Sequence, residues 1–190
     1  MEKIVIIGSP GAGKSTLART LGDILRIEVI HLDSLFWQDH WKKTPWGERL
    51  KIQQALLREK RAWIMDGSYH GRLLNMRVNA ADTVIFLDMP RFLCIWRVLK
   101  RHLTQRSRFD LPDRCGDRLD RTYLMKVWNF PNKDREHLIK YIRIAEESGK
   151  EVIWLHSRGE VANYLQKVRK VPEEVQKEQR QPVEVALASR

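Results

Sequence analysis

Five short apolar runs punctuate this chain, and between them the apolar positions fall into helical spacing. The runs are Lys3–Ile7, Glu28–Leu32, Ala62–Met65, Thr83–Asp88 and Glu151–Leu155, rich in Val and Ile. Such runs are the pattern of parallel strands buried on both faces. After the first, Leu17, Leu21, Ile24 and Leu25 recur at i, i+4, i+7 and i+8, one face of an amphipathic helix beginning near Lys14. After the fourth, Phe92, Ile95, Trp96, Leu99 and Leu103 keep helical spacing. Thr44-Pro45 reads as a cap followed by proline at the first helical position, opening a helix to about Arg61. Patterns over 114–128 and 133–148 predict two more helices, the second capped by Asn132 and stopped by Gly149. A last amphipathic helix is expected over 159–170, with Val161, Leu165 and Val168 on one face. Residues 34–43 read as an aromatic and polar stretch, 72–77 as a loop or short helix, and 104–113 as irregular. Strands alternating with helices predict a parallel α/β sheet with right-handed crossovers.

The link between the first strand and the first helix is chemically specific. Gly8-Ser9-Pro10-Gly11-Ala12-Gly13-Lys14-Ser15 fits G-x-x-x-x-G-K-[ST] at every defined position, in the strand–loop–helix context that the phosphate loop requires. A polyphosphate gripped this closely leaves no room for Cβ atoms, so Gly8, Gly11 and Gly13 let amide N–H groups curl around it. The helix N-terminus turns its positive dipole end to the same anion. Lys14 supplies a mobile charge for the terminal phosphates, and the Ser15 hydroxyl a ligand for Mg²⁺, with Thr16 following.

Composition narrows the class further. The chain has 190 residues, 43% of them hydrophobic, enough for one compact domain with a proper core. No run of apolar residues is long enough to cross a membrane, and no membrane partner is expected. The first strand starts at once, so no signal peptide is expected. Cys94 and Cys115 stand apart without metal-ligand spacing, which points to a reducing cytoplasm. The net charge is +11, and residues 91–121 hold nine Lys/Arg against four Asp. Nucleotides and nucleic acids both suit such a balance. The domain is expected over 1–170, with a basic lid at about 91–128. Residues 171–190, with Pro172 and Pro182, read as a weakly ordered polar extension.

With these elements in order, the chain resembles the small P-loop kinases of the nucleoside-monophosphate-kinase type, the group of adenylate kinase and shikimate kinase. The stretches GSPGAGKSTLA, HLDSLFW followed by W-x-x-x-P, WIMDGSY and ADTVIFLDMPRFLCIWRVLKR resemble more narrowly the bacterial proteins labelled DNA topology modulation protein or FlaR-related. They reach to about residue 103; beyond that only the general plan agrees. The resemblance implies a three-layer fold whose five-stranded parallel sheet runs 2-3-1-4-5, with helices on both faces. It also implies a substrate segment after strand two and a mobile basic lid after strand four.

In such a sheet ligands collect beyond the carboxyl ends of the strands, where the candidate side chains lie. Asp66 ends strand three and suits a Mg²⁺-holding carboxylate opposite Ser15. Asp88, ending strand four, is the rival, but the Asp-Gly after strand three resembles the kinase pattern and favours Asp66. Asp33 ends strand two and either accepts the proton of an attacking oxygen or caps the next turn. Arg72 follows Asp66-Gly67 at a spacing similar to a substrate-clamping arginine, with Arg77 as a second candidate. The alternative for either is a solvated surface arginine. Arg97 and Arg101, i and i+4, match the place of lid arginines that neutralise the transferring phosphoryl group, ahead of Arg114, Arg118 and Arg121. Arg106 and Arg108 read as exposed. Arg158, with Ser157, follows strand five, where such kinases place an adenine-contacting loop. Trp37, Trp41, Trp46, Trp63 and Tyr69 form either an aromatic wall for a planar acceptor or, for Trp46 and Trp63, plain core.

The expected activity is phosphoryl transfer from ATP·Mg²⁺ to a small acceptor. The alternative is an ATP-binding, nucleic-acid-associated regulator, for which charge argues but no helix-turn-helix, zinc-finger or RNP signature does. A GTPase is disfavoured because N-K-x-D is absent, and a helicase because no strand ends in Asp-Glu.

Overall fold

The computed structural model describes residues 1–38, 42–67, 69, 71–104 and 119–170. The chain divides into two compact units, Met1–Ser157 and Arg158–Arg190. In the first, β1 (Lys3–Gly8) leads through the glycine loop into α1 (Lys14–Leu25), then β2 (Val29–His31) and a short helix, α2 (Leu32–Phe36). A small antiparallel hairpin follows, β3 (Trp37–Gln38) with β4 (Lys42–Lys43), and then α3 (Trp46–Glu59). Next come β5 (Trp63–Asp66), α4 (Arg72–Ala80), β6 (Thr83–Leu87), α5 (Arg91–Leu103), α6 (Arg121–Glu147) and β7 (Glu151–Leu155). The described part of the second unit is a helix over 158–170.

The five-stranded sheet has the order β2-β5-β1-β6-β7, every neighbouring pair parallel. Counted among the strands of this sheet alone, that is 2-3-1-4-5; the unanticipated hairpin only shifts the numbers. Every residue of β5 and β6 is buried, and all of β1 after Lys3. That is why these strands read as unbroken apolar runs. On one face Val5, Ile7, Met65, Val84 and Phe86 pack with Leu74 and Val78 of α4 and Leu138 and Ile142 of α6. Leu17, Ala18 and Leu21 of α1 are buried, as are Cys94 and Val98 of α5.

Several elements differ from the sequence expectation. The two helices expected over 114–128 and 133–148 are one helix, α6, with Pro131 inside it. Proline removes one backbone hydrogen bond, at a cost of about 3 kcal/mol. Val127, Phe130, Leu138, Ile142 and Ala145 nonetheless lie buried along one face, and that continuous packing carries the helix through. Thr44 does not cap α3. Its amide and hydroxyl turn back to the carbonyls of Phe36 and Leu35, and Pro45 takes the cap position. β2 stops at His31, so Asp33 sits in the first turn of α2 rather than at a strand end. The 72–77 stretch is the start of a full helix. The centre of the expected lid and the 171–190 extension lie outside the described residues.

Candidate functional site

The glycine loop leaves β1 at Gly8, whose neighbour across the parallel ladder is Leu87. Gly8 has φ +146, and a Cβ there would stand 2.5 Å from the Leu87 carbonyl oxygen. Gly11 has φ +81, and its Cβ would meet the Cys94 carbonyl oxygen at 2.5 Å. Both positions combine a backbone conformation that side chains rarely adopt with a neighbour that cannot yield. The loop is therefore seated on β6 and α5, with Ser9 and Ala12 buried and Pro10 half-buried. Gly13 caps α1 in the left-handed region, and Lys14 opens the helix. The Lys14 ammonium folds back over the loop and donates to the Ser9 carbonyl at 2.9 Å. Ser15 is half-buried and Thr16 exposed in the first turn.

Arg97, expected as a lid arginine, reaches the loop itself. Its Nη1 donates to the carbonyls of Ala12 at 2.6 Å and Gly11 at 3.4 Å. Arg101 lies one turn further along α5, half-buried. The buried Cys94 thiol is pushed above its usual pKa by burial, although Lys14, Ser9 and Arg97 act the other way. Arg121 opens α6 and is exposed. Arg106, Arg108, Arg114 and Arg118 lie outside the described residues.

The two strand-end carboxylates are separated by their partners. Asp88, after β6, is held by Arg135 of α6: Nε lies 3.0 and 3.1 Å from its two oxygens and Nη2 is 2.8 Å from Oδ2. His156 adds an Nδ1 contact at 3.6 Å. Both oxygens of Asp88 are thus committed to a bidentate fork. Asp66 stands opposite Ile6 of β1, two residues before the glycine loop begins. It is 3% exposed and accepts from His31 Nδ1 at 2.7 Å.

A second group gathers beyond β2 and β5. Asp33 lies against Tyr69, whose phenol is pushed above its ordinary pKa first by burial and then by the charge and hydrogen bonding of Asp33. Tyr69 also packs edge-on to Phe36, ring centroids 4.8 Å apart. Beneath them Arg77 is wholly buried and donates to the carbonyls of Tyr69 at 2.9 Å, Gly67 at 3.3 Å and Leu73 at 3.4 Å. Burial lowers its pKa to about 10, while Tyr69, Asp66 and Asp33 act to raise it. Arg77 is thus neither a surface arginine nor an exposed clamp. Arg49 of α3 bears electrostatically on Tyr69 from the same side. Its Nε is buried with no hydrogen-bond partner among the described residues.

Arg72 begins α4, exposed, with its guanidinium 6.0 Å from the centre of the Trp46 ring. The residues expected to form an aromatic wall stand in different surroundings. Trp63 is core, Trp46 is 49% exposed, and half-buried Trp37 has Lys43 Nζ 5.3 Å from its ring centre across the hairpin. Trp41 lies outside the described residues. Ser157 closes the first unit, and Arg158 opens the helix of the second. Sequence reasoning missed His31, Arg49 and Arg135. Each gains meaning only through a partner far along the chain: His31 opens the stretch HLDSLFW with no role assigned to it there, and Arg49 and Arg135 lie outside the quoted stretches.

This arrangement sets a glycine loop and two strand-end carboxylates at the carboxyl edge of a five-stranded parallel α/β sheet. The chain superposes on shikimate kinase from Acinetobacter baumannii, solved with shikimate, with a TM-score of 0.56 at 14% identity, covering 92% of this chain and 94% of that one. The two share a fold. Adenylate kinase of a Cyanothece species is 25% identical over 146 residues, 63% of this chain and 75% of the relative. The protein YqaC of Bacillus subtilis is 31% identical over 101 residues, 53% of this chain. The chain spans 56% of YqaC, and only 4% of the pentafunctional AROM polypeptide of Clavispora lusitaniae, to which 64 residues are 36% identical. No family model matches the chain.

Proposed function

We propose that the chain is an ATP-dependent phosphotransferase that moves the γ-phosphoryl group to a small acceptor. One observation carries the reading: the glycine loop, packed so closely that neither Gly8 nor Gly11 has room for a Cβ, lies beside a strand that ends in the buried carboxylate Asp66. Residues 8–16 would cradle the triphosphate of ATP. Ser15 and Asp66 fit Mg²⁺, a hydroxyl and a carboxylate being the oxygen donors such an ion takes alongside phosphate. Bound there, the ion would neutralise charge between the β- and γ-phosphates.

The chain's own groups supply the rest. Lys14 binds the γ-phosphate and steadies the charge that develops there. Arg97, anchored on the carbonyls of the loop, holds positive charge beside it, with Arg101 one turn away. Asp33 orients the acceptor hydroxyl and takes its proton as the oxygen attacks phosphorus; the bond to the β–γ bridging oxygen breaks and ADP leaves. Tyr69 and Trp37 flank the acceptor. Arg49, with its buried and unsatisfied Nε, suits an acceptor anion better than the exposed Arg72 does.

A coupled ADP-release assay over a panel of alcohols, sugars, nucleosides and nucleotides tests the reading. One acceptor should raise turnover well above the ATPase background, and Lys14→Ala should abolish both ATP binding and turnover. No stimulation by any acceptor, with Lys14→Ala binding ATP normally, would sink the idea. The nucleic-acid alternative, which includes the topology-modulation resemblance, rests on net charge. It would be favoured by duplex binding that keeps a sequence preference across a salt titration.

A further inference from the structure

A carboxylate as buried as Asp66 needs partners, and the fold supplies a specific one. β2 and β5 are parallel neighbours in which His31 stands directly opposite Asp66. Both side chains therefore leave the carboxyl edge of the sheet side by side, with Nδ1 2.7 Å from Oδ1. A carboxylate only accepts, so the hydrogen is on Nδ1 and the imidazole donates. The backbone of His31 is held as well. It is the last residue of β2 and the cap of α2, and the Ser34 hydroxyl donates to its carbonyl at 2.7 Å. Among the described residues Oδ2 of Asp66 takes no hydrogen bond.

We infer that His31 is a positioning residue for the metal site: its Nδ1–H pins Oδ1 of Asp66 and leaves Oδ2 as the oxygen presented to the ion's water. The inference rests on the reading of Asp66 as the metal carboxylate. A carboxylate without this donor turns about its last torsion and must be ordered when the ion arrives. With it, the ordering is built into the sheet. The same short step of chain places Asp33 two residues on, against Tyr69. One strand end thus sets both the metal side and the acceptor side.

The test needs no acceptor. Mn²⁺ serves as the probe, its free concentration followed by electron paramagnetic resonance with the full chain and a non-hydrolysable ATP analogue. His31→Ala should weaken Mn²⁺ binding by about 10-fold or more, while analogue binding in EDTA stays as in the parent. His31→Asn, whose amide nitrogen falls where Nδ1 does, should restore affinity close to the parent's. His31→Gln, one bond longer, should behave like alanine. Asp66→Asn is the control for the underlying reading. If Asp66→Asn loses Mn²⁺ while His31→Ala binds it like the parent, the inference is wrong and the metal role of Asp66 stands. If Asp66→Asn also binds like the parent, both are wrong. Should asparagine and glutamine fail alongside alanine, with the melting temperature lowered in all three, His31 is only packing and the inference is overturned.

Discussion

Gly11 shows how closely the nucleotide loop is fitted to its surroundings. Its φ of +81 and the Cys94 carbonyl in the space a Cβ would take both act against any other residue. Gly11→Ala should cost about 1–3 kcal/mol from backbone strain alone, more once the carbonyl is displaced, and should weaken ATP binding. Urea unfolding and calorimetric titration would measure the two effects. Arg77 makes a different kind of single-residue argument. Its guanidinium is buried, charged and spent on the carbonyls of Gly67 and Tyr69, so removing it strands those carbonyls beneath Asp33 and Asp66. Arg77→Ala should lose about 3–5 kcal/mol, read from the urea midpoint. A loss under about 1 kcal/mol would mean that the cluster tolerates its absence. The sequence made Arg77 a secondary candidate on spacing; its burial could not be read there, because the carbonyls it serves belong to another segment.

At the scale of elements, the amino ends of β1 and β6 are tied by one side chain. Asp82 accepts from the amides of Glu2 at 2.6 Å and Lys3 at 2.8 Å and from the Thr83 hydroxyl at 2.7 Å. Burial would raise its pKa, but these hydrogen bonds to the charged form outweigh it, and the pKa falls below its ordinary 3.8. The folded value being the lower one, the stabilisation is complete above the unfolded value and is lost as pH falls through the folded one. Asp82→Asn should therefore lower the melting temperature at neutral pH and flatten the acid limb below about pH 4, as scanning calorimetry across pH would show. An acid limb as steep as the parent's would refute the assignment. Helix α6 teaches the complementary lesson. Pro131 is a strong local stop signal, yet Val127 and Phe130 before it and Leu138 and Ile142 beyond it share a buried face. Tertiary packing outweighed the lost backbone bond.

For the whole molecule, the proposed site joins parts from β1, α1, β2, α2, β3, α3, β5 and α5, so ligand and fold are linked. A non-hydrolysable ATP analogue with Mg²⁺ at 100 times its dissociation constant should add about 2.7 kcal/mol to unfolding, seen as a raised melting temperature in the parent and as none in Lys14→Ala. An equal shift in both would place the nucleotide elsewhere. The strands and the glycine loop were legible in the sequence because each rests on local rules; the order of the strands came only through the resemblance to the P-loop kinases. Buried parallel strands need unbroken apolar runs, and a backbone anion cradle needs glycines at set spacing. What only the tertiary structure decided was which polar groups meet. Asp66 and Asp88 look alike as strand-end carboxylates, and they diverge because register brings His31 to one and helix packing brings Arg135 to the other. Contacts of that kind are set by strand order and helix docking over tens of residues, and no local pattern in the chain records them.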